Sequence, residues 1–85
     1  MKEFTYVIND KNGIHARPAG VLVKKANGFK SKLTMSRGEK QGDLKRIFSV
    51  MALGAQEGDT VVVRAEGEDE EQAVAVLEAC LKEIL

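Results

Sequence analysis

One histidine, His15, and one proline, Pro18, are all that this chain has of either residue, and Arg17 stands between them in Asn-Gly-Ile-His-Ala-Arg-Pro-Ala-Gly, residues 12–20. A neutral imidazole is a nucleophile, and a guanidinium fork can grip phosphate oxygens at two points. Pro18 suits the first turn of a helix, where its missing N–H has no intrahelical partner to lose. His15 then falls where a turn feeds a helix, among unpaired backbone N–H groups and the positive end of the dipole. That is an anion site. These features suit a phosphoryl group carried on the ring. No GxxxxGK[ST] loop is present to hold ATP, and no serine or cysteine is paired with His15 by spacing. The phosphoryl group is therefore expected to arrive from other proteins and leave to them.

The composition is consistent with a shallow surface site. A chain of 85 residues hides only roughly 60–65% of its unfolded surface, enough for one core without a deep cleft beside it. We expect a single domain over residues 1–85. The 13 basic and 13 acidic side chains cancel, without the positive excess of a nucleic-acid binder. The lone Cys80 allows no internal disulfide and no Cys/His metal site. Flanked by Val76, Leu77, Leu81 and Ile84, it reads as a small buried apolar residue. No metal and no cofactor are expected. The opening Met-Lys-Glu-Phe-Thr-Tyr has no apolar signal region, and no run approaches the roughly 20 apolar residues of a membrane span. A cytoplasmic chain without membrane insertion is the expectation.

The elements that must position His15 follow from periodicity. Phe4, Tyr6 and Ile8 alternate on one face of a first strand, and Asp-Lys-Asn-Gly supplies a turn. From about Arg17 to Asn27, Ala19, Leu22, Val23 and Ala26 form a helical stripe, ended by Asn27-Gly28 through left-handed dihedrals. Lys-Ser-Lys-Leu-Thr-Met-Ser alternates again, and Arg-Gly-Glu-Lys-Gln-Gly-Asp reads as a turn with a short return strand. Residues 44–54 predict a helix of about two turns closed by Gly54. The β-branched run Asp-Thr-Val-Val-Val-Arg-Ala-Glu-Gly suits an interior strand. A last helix opens with Asp69 as N-cap and Gln72 three residues later, and buries Ala73, Leu77, Cys80, Leu81 and Ile84. The order β-α-β-β-α-β-α suggests helices on one face of an antiparallel sheet, and leaves a ferredoxin-like sheet with an extra helix open.

The short second helix is apolar on two arcs. At about 100° per residue, Ile47, Phe48 and Met51 share one arc, whereas Val50 and Leu53 lie on another. Only one arc can face the sheet, so the other is expected to form a protein-contact patch, unless loops cover both. Lys24, Lys45 and Arg46 would give that patch a basic rim and speed encounter with acidic partners.

The segment Gly-Ile-His-Ala-Arg-Pro-Ala-Gly, the later Leu-Lys-Arg-Ile-Phe-Ser-Val-Met-Ala-Leu-Gly and the Gly-Glu-Asp-Glu-Glu-Gln-Ala entry to the last helix closely resemble HPr, the histidine phosphocarrier family of the bacterial sugar phosphotransferase system. The resemblance implies an α+β open-faced sandwich, three helices on a four-stranded antiparallel sheet of order 1-4-2-3. It implies that His15 is phosphorylated on Nδ1 by phosphoenzyme I, itself charged by phosphoenolpyruvate, and passes the group to the A domain of a sugar-specific enzyme II. Arg17 would steady the phosphate, and Asn12, Ala16 and Pro18 would frame it. Ile47, Phe48 and Met51 would form the docking patch, with Gly20, Lys24, Asn27 and Arg46 around it. The chain is expected to work as a monomer.

One position departs from the family. HPr proteins of low-GC Gram-positive bacteria carry a regulatory serine just before Ile-Met or Ile-Phe in this helix, where this chain has Arg46. Control by HPr kinase is therefore not expected. Ser49 lies one turn on, about 60° around the helix. An HPr-like relay serving regulation instead of sugar uptake would use the same His15 chemistry. A small-molecule-binding regulatory domain on a ferredoxin-like fold would carry no phosphohistidine.

Overall fold

The alternating apolar residues set the sheet, which the computed structural model describes together with the rest of residues 1–85. The strands are β1 (Lys2–Val7), β2 (Lys32–Arg37), β3 (Lys40–Asp43) and β4 (Thr60–Glu66), and the helices are α1 (Ala16–Ala26), α2 (Ile47–Met51) and α3 (Glu70–Ile84). All pairings are antiparallel in the order β1-β4-β2-β3. This is the order the resemblance implies, and it excludes the ferredoxin-like sheet. The most β-branched strand, β4, is interior as expected: Phe4 and Met35 both oppose Val63, one from each side. Directly opposed residues share a face, so Val61, Val63, Ala65, Leu33 and Met35 form a buried floor, each at 2% exposure or less.

The helices cover that floor. Leu22 and Ala26 of α1, Val50 of α2, and Ala73, Leu77 and Leu81 of α3 are fully buried, in one cluster with the floor residues. Each α3 residue of the expected stripe is buried except Ile84, which packs at the edge of the cluster. The outer face of the sheet carries polar residues, including an Arg64 to Glu3 ion pair at 2.7 Å.

Three local expectations differ from what the chain does. Asn27 and Gly28 end α1, but neither is left-handed: Asn27 has φ −69° and ψ −9°. The chain leaves in a continuing right-handed turn because the N–H groups of Asn27, Gly28 and Phe29 still find Val23, Lys25 and Ala26 carbonyls. Asp69 stands at the N-cap of α3 but makes no side-chain cap. Its carboxylate is taken up by the Lys30 and Ser31 N–H groups, at 2.8 and 2.9 Å, and by the Ser31 hydroxyl. The second helix is also shorter than two turns. Arg46 is extended, with φ −125° and ψ 120°, and so precedes the helix instead of lying in its first turn.

Candidate functional site

The turn before α1 is built by its own short polar residues. Asp10 accepts the Asn12 N–H on its side chain at 2.8 Å and the Gly13 N–H on its carbonyl at 2.9 Å. Gly13 has φ 64°, and a Cβ there would lie 2.8 Å from the Cα of Gln56. Both the dihedral and the space demand glycine. Ile14 is buried, and its N–H bonds the Ala55 carbonyl at 3.0 Å. The turn is thereby seated on the loop that follows α2.

His15 comes next as the N-cap of α1, extended at φ −119° and ψ −175°. Its carbonyl accepts the Ala19 N–H at 3.0 Å, while its side chain makes no capping bond. His15 is half-buried, and its ring is engaged in no hydrogen bond or ion pair within the chain. The Ala16 and Arg17 N–H groups have no partner within the chain, and Pro18 has none to offer. No acidic residue lies in the first turn, so nothing on the helix offsets the positive end of its dipole. Arg17 is exposed and engaged in no ion pair, which leaves its fork available to an anion. Pro18 is buried beneath this turn, and Asn12 and Ala16 are exposed beside it. No three His, Cys, Asp or Glu side chains converge as a metal site would require.

The two arcs of the second helix separate as the geometry requires. Val50 and Leu53 are in the core, whereas Phe48 is 83% exposed, more than any other large apolar residue. Ile47 and Met51 are half-buried at its flanks. Ile47 Cδ1 lies 3.9 Å from the point where a Gly20 side chain would begin, so the apolar patch abuts α1. Lys24 is exposed in the last turn of α1. Asn27 acts as a strut, its amide donating to the Val23 carbonyl at 2.9 Å and the Lys45 carbonyl at 3.1 Å. Arg46 is exposed, 3.7 Å from Asp43. Lys45 does not join the expected rim: its ammonium donates to the Phe29 carbonyl at 2.7 Å and is turned inward.

Ser49 is likewise engaged. Its hydroxyl accepts the Asp43 N–H at 2.8 Å, and a Cβ on Gly42 would meet the Ser49 carbonyl at 2.7 Å. Cys80 is buried, and burial pushes its thiol pKa up, as suits an inert side chain. The contribution of Gly13 and Ala55 is absent from the sequence reading. The signal available was a glycine placed directly before an apolar residue and the histidine, a place for close backbone approach.

A family model described as the PTS HPr component phosphorylation site matches residues 2–83. The phosphocarrier protein HPr of Mycoplasma genitalium is 43% identical over 83 residues, covering 96% of this chain and 94% of that one. Among solved structures, a Mycoplasma histidine-containing phosphocarrier protein superposes with a TM-score of 0.94 at 40% identity, covering 96% of this chain and 93% of that one. An HPr from Thermoanaerobacter tengcongensis gives 0.93 at 38% identity, covering 98% and 93%. A structure of an HPr dimer from the same organism gives 0.78, covering 98% and 95%.

Proposed function

This chain belongs to the HPr family of phosphocarrier proteins, and from that premise we propose that His15 is the residue on which it carries a phosphoryl group. The observation that supports this is the N-terminus of α1. A free imidazole stands at the N-cap beside two unpaired N–H groups and an unpaired guanidinium, with no carboxylate in the first turn. Nδ1 attacks the phosphorus of the donor; the N–P bond forms as the donor's bond to phosphorus breaks, and the donor leaves with the electron pair. The Ala16 and Arg17 N–H groups and the Arg17 fork receive the phosphate oxygens. Transfer onward is the same displacement with the imidazole as leaving group.

The donor is phosphoenzyme I and the acceptor the A domain of a sugar-specific enzyme II. Phe48, Ile47 and Met51 dock against both, with Gly20, Lys24, Asn27 and Arg46 around them. An exposed apolar centre next to cationic side chains fits partners that must be met quickly and released quickly. The chain does this as a cytoplasmic monomer; no helix is long and apolar enough to cross a membrane. The test is incubation with phosphoenolpyruvate and enzyme I, followed by intact mass without acid, which would hydrolyse phosphohistidine. One phosphate on the wild type and none on His15→Ala is the expected result.

A further inference from the structure

The turn that presents His15 does not stand alone, and the loop beneath it has a closure of its own. Residues 53–59 leave α2 and return to β4. At the far end the loop is joined to Ile8, the residue that follows β1, through Ile8 N–H to the Asp59 carbonyl at 2.9 Å and Gly58 N–H to the Ile8 carbonyl at 2.8 Å. The near limb, residues 53–56, has one hydrogen-bonded link to the sheet, and it is Arg37 at the end of β2. The guanidinium donates from Nη1 to the Leu53 carbonyl at 3.0 Å and from Nε to Asp59 Oδ2 at 2.8 Å. The same carboxylate oxygen accepts the Gln56 N–H at 2.9 Å. Arg37 thus brackets Ala55 from both sides, and the Ala55 carbonyl is the acceptor for Ile14, the residue before His15.

We propose that Arg37 is a positioning residue for His15: its fork closes the 53–59 loop and fixes the Ala55 carbonyl on which the His15 turn is seated. Two acceptors must be met at once, by atoms in a fixed plane. An ammonium can meet either of them, but it lacks the planar fork that holds both in register. Asp59 supports the clamp through Oδ2, which takes both the Gln56 N–H and the Arg37 guanidinium; the two together hold its carboxyl below the usual range. Gly13 completes the connection, because its lack of a side chain lets the turn lie directly on Ala55 and Gln56.

The inference rests on His15 as the carrier, and the experiment separates the two. Arg37→Ala and Arg37→Lys are compared with Arg64→Ala, which removes an ion pair of similar length on the outer face of the sheet, away from the loop. Amide hydrogen exchange at Ile14 is measured on the unphosphorylated proteins, and the kinetics of phosphorylation by enzyme I on the same set. Faster Ile14 exchange is expected in Arg37→Ala, with a drop of about tenfold in kcat and little change in KM, less than the roughly hundredfold that a 1 Å misplacement can cost. Arg37→Lys should fall between, and Arg64→Ala should match the wild type. Ile14 exchange and kcat in Arg37→Ala equal to those of Arg64→Ala would overturn the proposal. Absence of phosphate uptake by the wild type would instead sink the carrier reading, while Ile14 exchange would still report whether Arg37 holds the loop.

Discussion

Phe48→Ala separates a docking side chain from a core one. With 83% of Phe48 exposed, about a sixth of its surface is covered. A fully buried Phe→Ala costs about 3–5 kcal/mol, so a sixth of that is about 0.5–0.8 kcal/mol. Alanine is the better helix former by up to roughly 0.7 kcal/mol, which offsets most of the loss. The net change is within about 0.5 kcal/mol, or a Tm shift of no more than about 4 °C for a domain of this size. Binding should respond differently. Truncating an aromatic anchor at the centre of an interface costs about 2 kcal/mol or more, roughly thirtyfold in affinity. The assay is steady-state phosphorylation by enzyme I, with this protein as the varied substrate and urea unfolding alongside. KM should rise about thirtyfold with kcat unchanged, the mark of lost ground-state binding. A stability loss of about 3 kcal/mol or more would show that Phe48 is core. An unchanged KM would refute its place in the patch.

Three further outcomes are expected. His15→Ala should take no phosphate from phosphoenolpyruvate and enzyme I while keeping the wild-type circular dichroism; undiminished labelling would remove His15 from the relay. The wild type should not be an HPr-kinase substrate, because Arg46 has no hydroxyl and Ser49 is held against β3. Phosphate mapped to Ser49 of the wild type after incubation with ATP and HPr kinase would contradict the reading. The Asp69 carboxyl is held below the ordinary range, first by the Ser31 hydroxyl and then by the Lys30 N–H. Its folded pKa is the lower one, so the stability it contributes is present above the unfolded value of about 3.9 and fades as pH falls through the folded value. Asp69→Asn should therefore lower stability at neutral pH and flatten the acid limb of a stability profile, and an unchanged acid limb would rule this out.

What was legible in the sequence was what local periodicity and spacing encode. Alternation gave the strands, the i, i+3, i+4 stripe gave α1 and α3, and a count of arcs separated Phe48 from Val50. The ending of α1 was missed for a local reason, the right-handed turn that Val23, Lys25 and Ala26 carbonyls sustain, but the other misses lie where a residue is claimed by a distant partner. Asp69 has the sequence of a capping residue, yet Lys30 and Ser31, almost forty positions away, take its carboxylate. Lys45 has the sequence of a surface cation, and the Phe29 carbonyl turns it inward. Arg37 reads as a turn-flanking charge because Leu53 and Asp59 are brought to it only by the closed sheet. At the site itself, motif spacing suggested His15, Arg17 and Pro18, but the seat on Ala55 needed the fold.

The central place of β4 also governs when the His15 turn can exist. β1 pairs with no strand but β4, and residues 60–66 are made long after residues 2–7. On a growing chain, the β2–β3 hairpin is the one strand pair available early; β1 has no partner and Ala55 has not yet been synthesised. Long-range pairing of this kind has to meet a loop-closure cost before any contact offsets it. The turn before α1 therefore gains its seat only once the chain has passed Ala55, a few residues before β4 becomes available to pair with β1 and close the sheet.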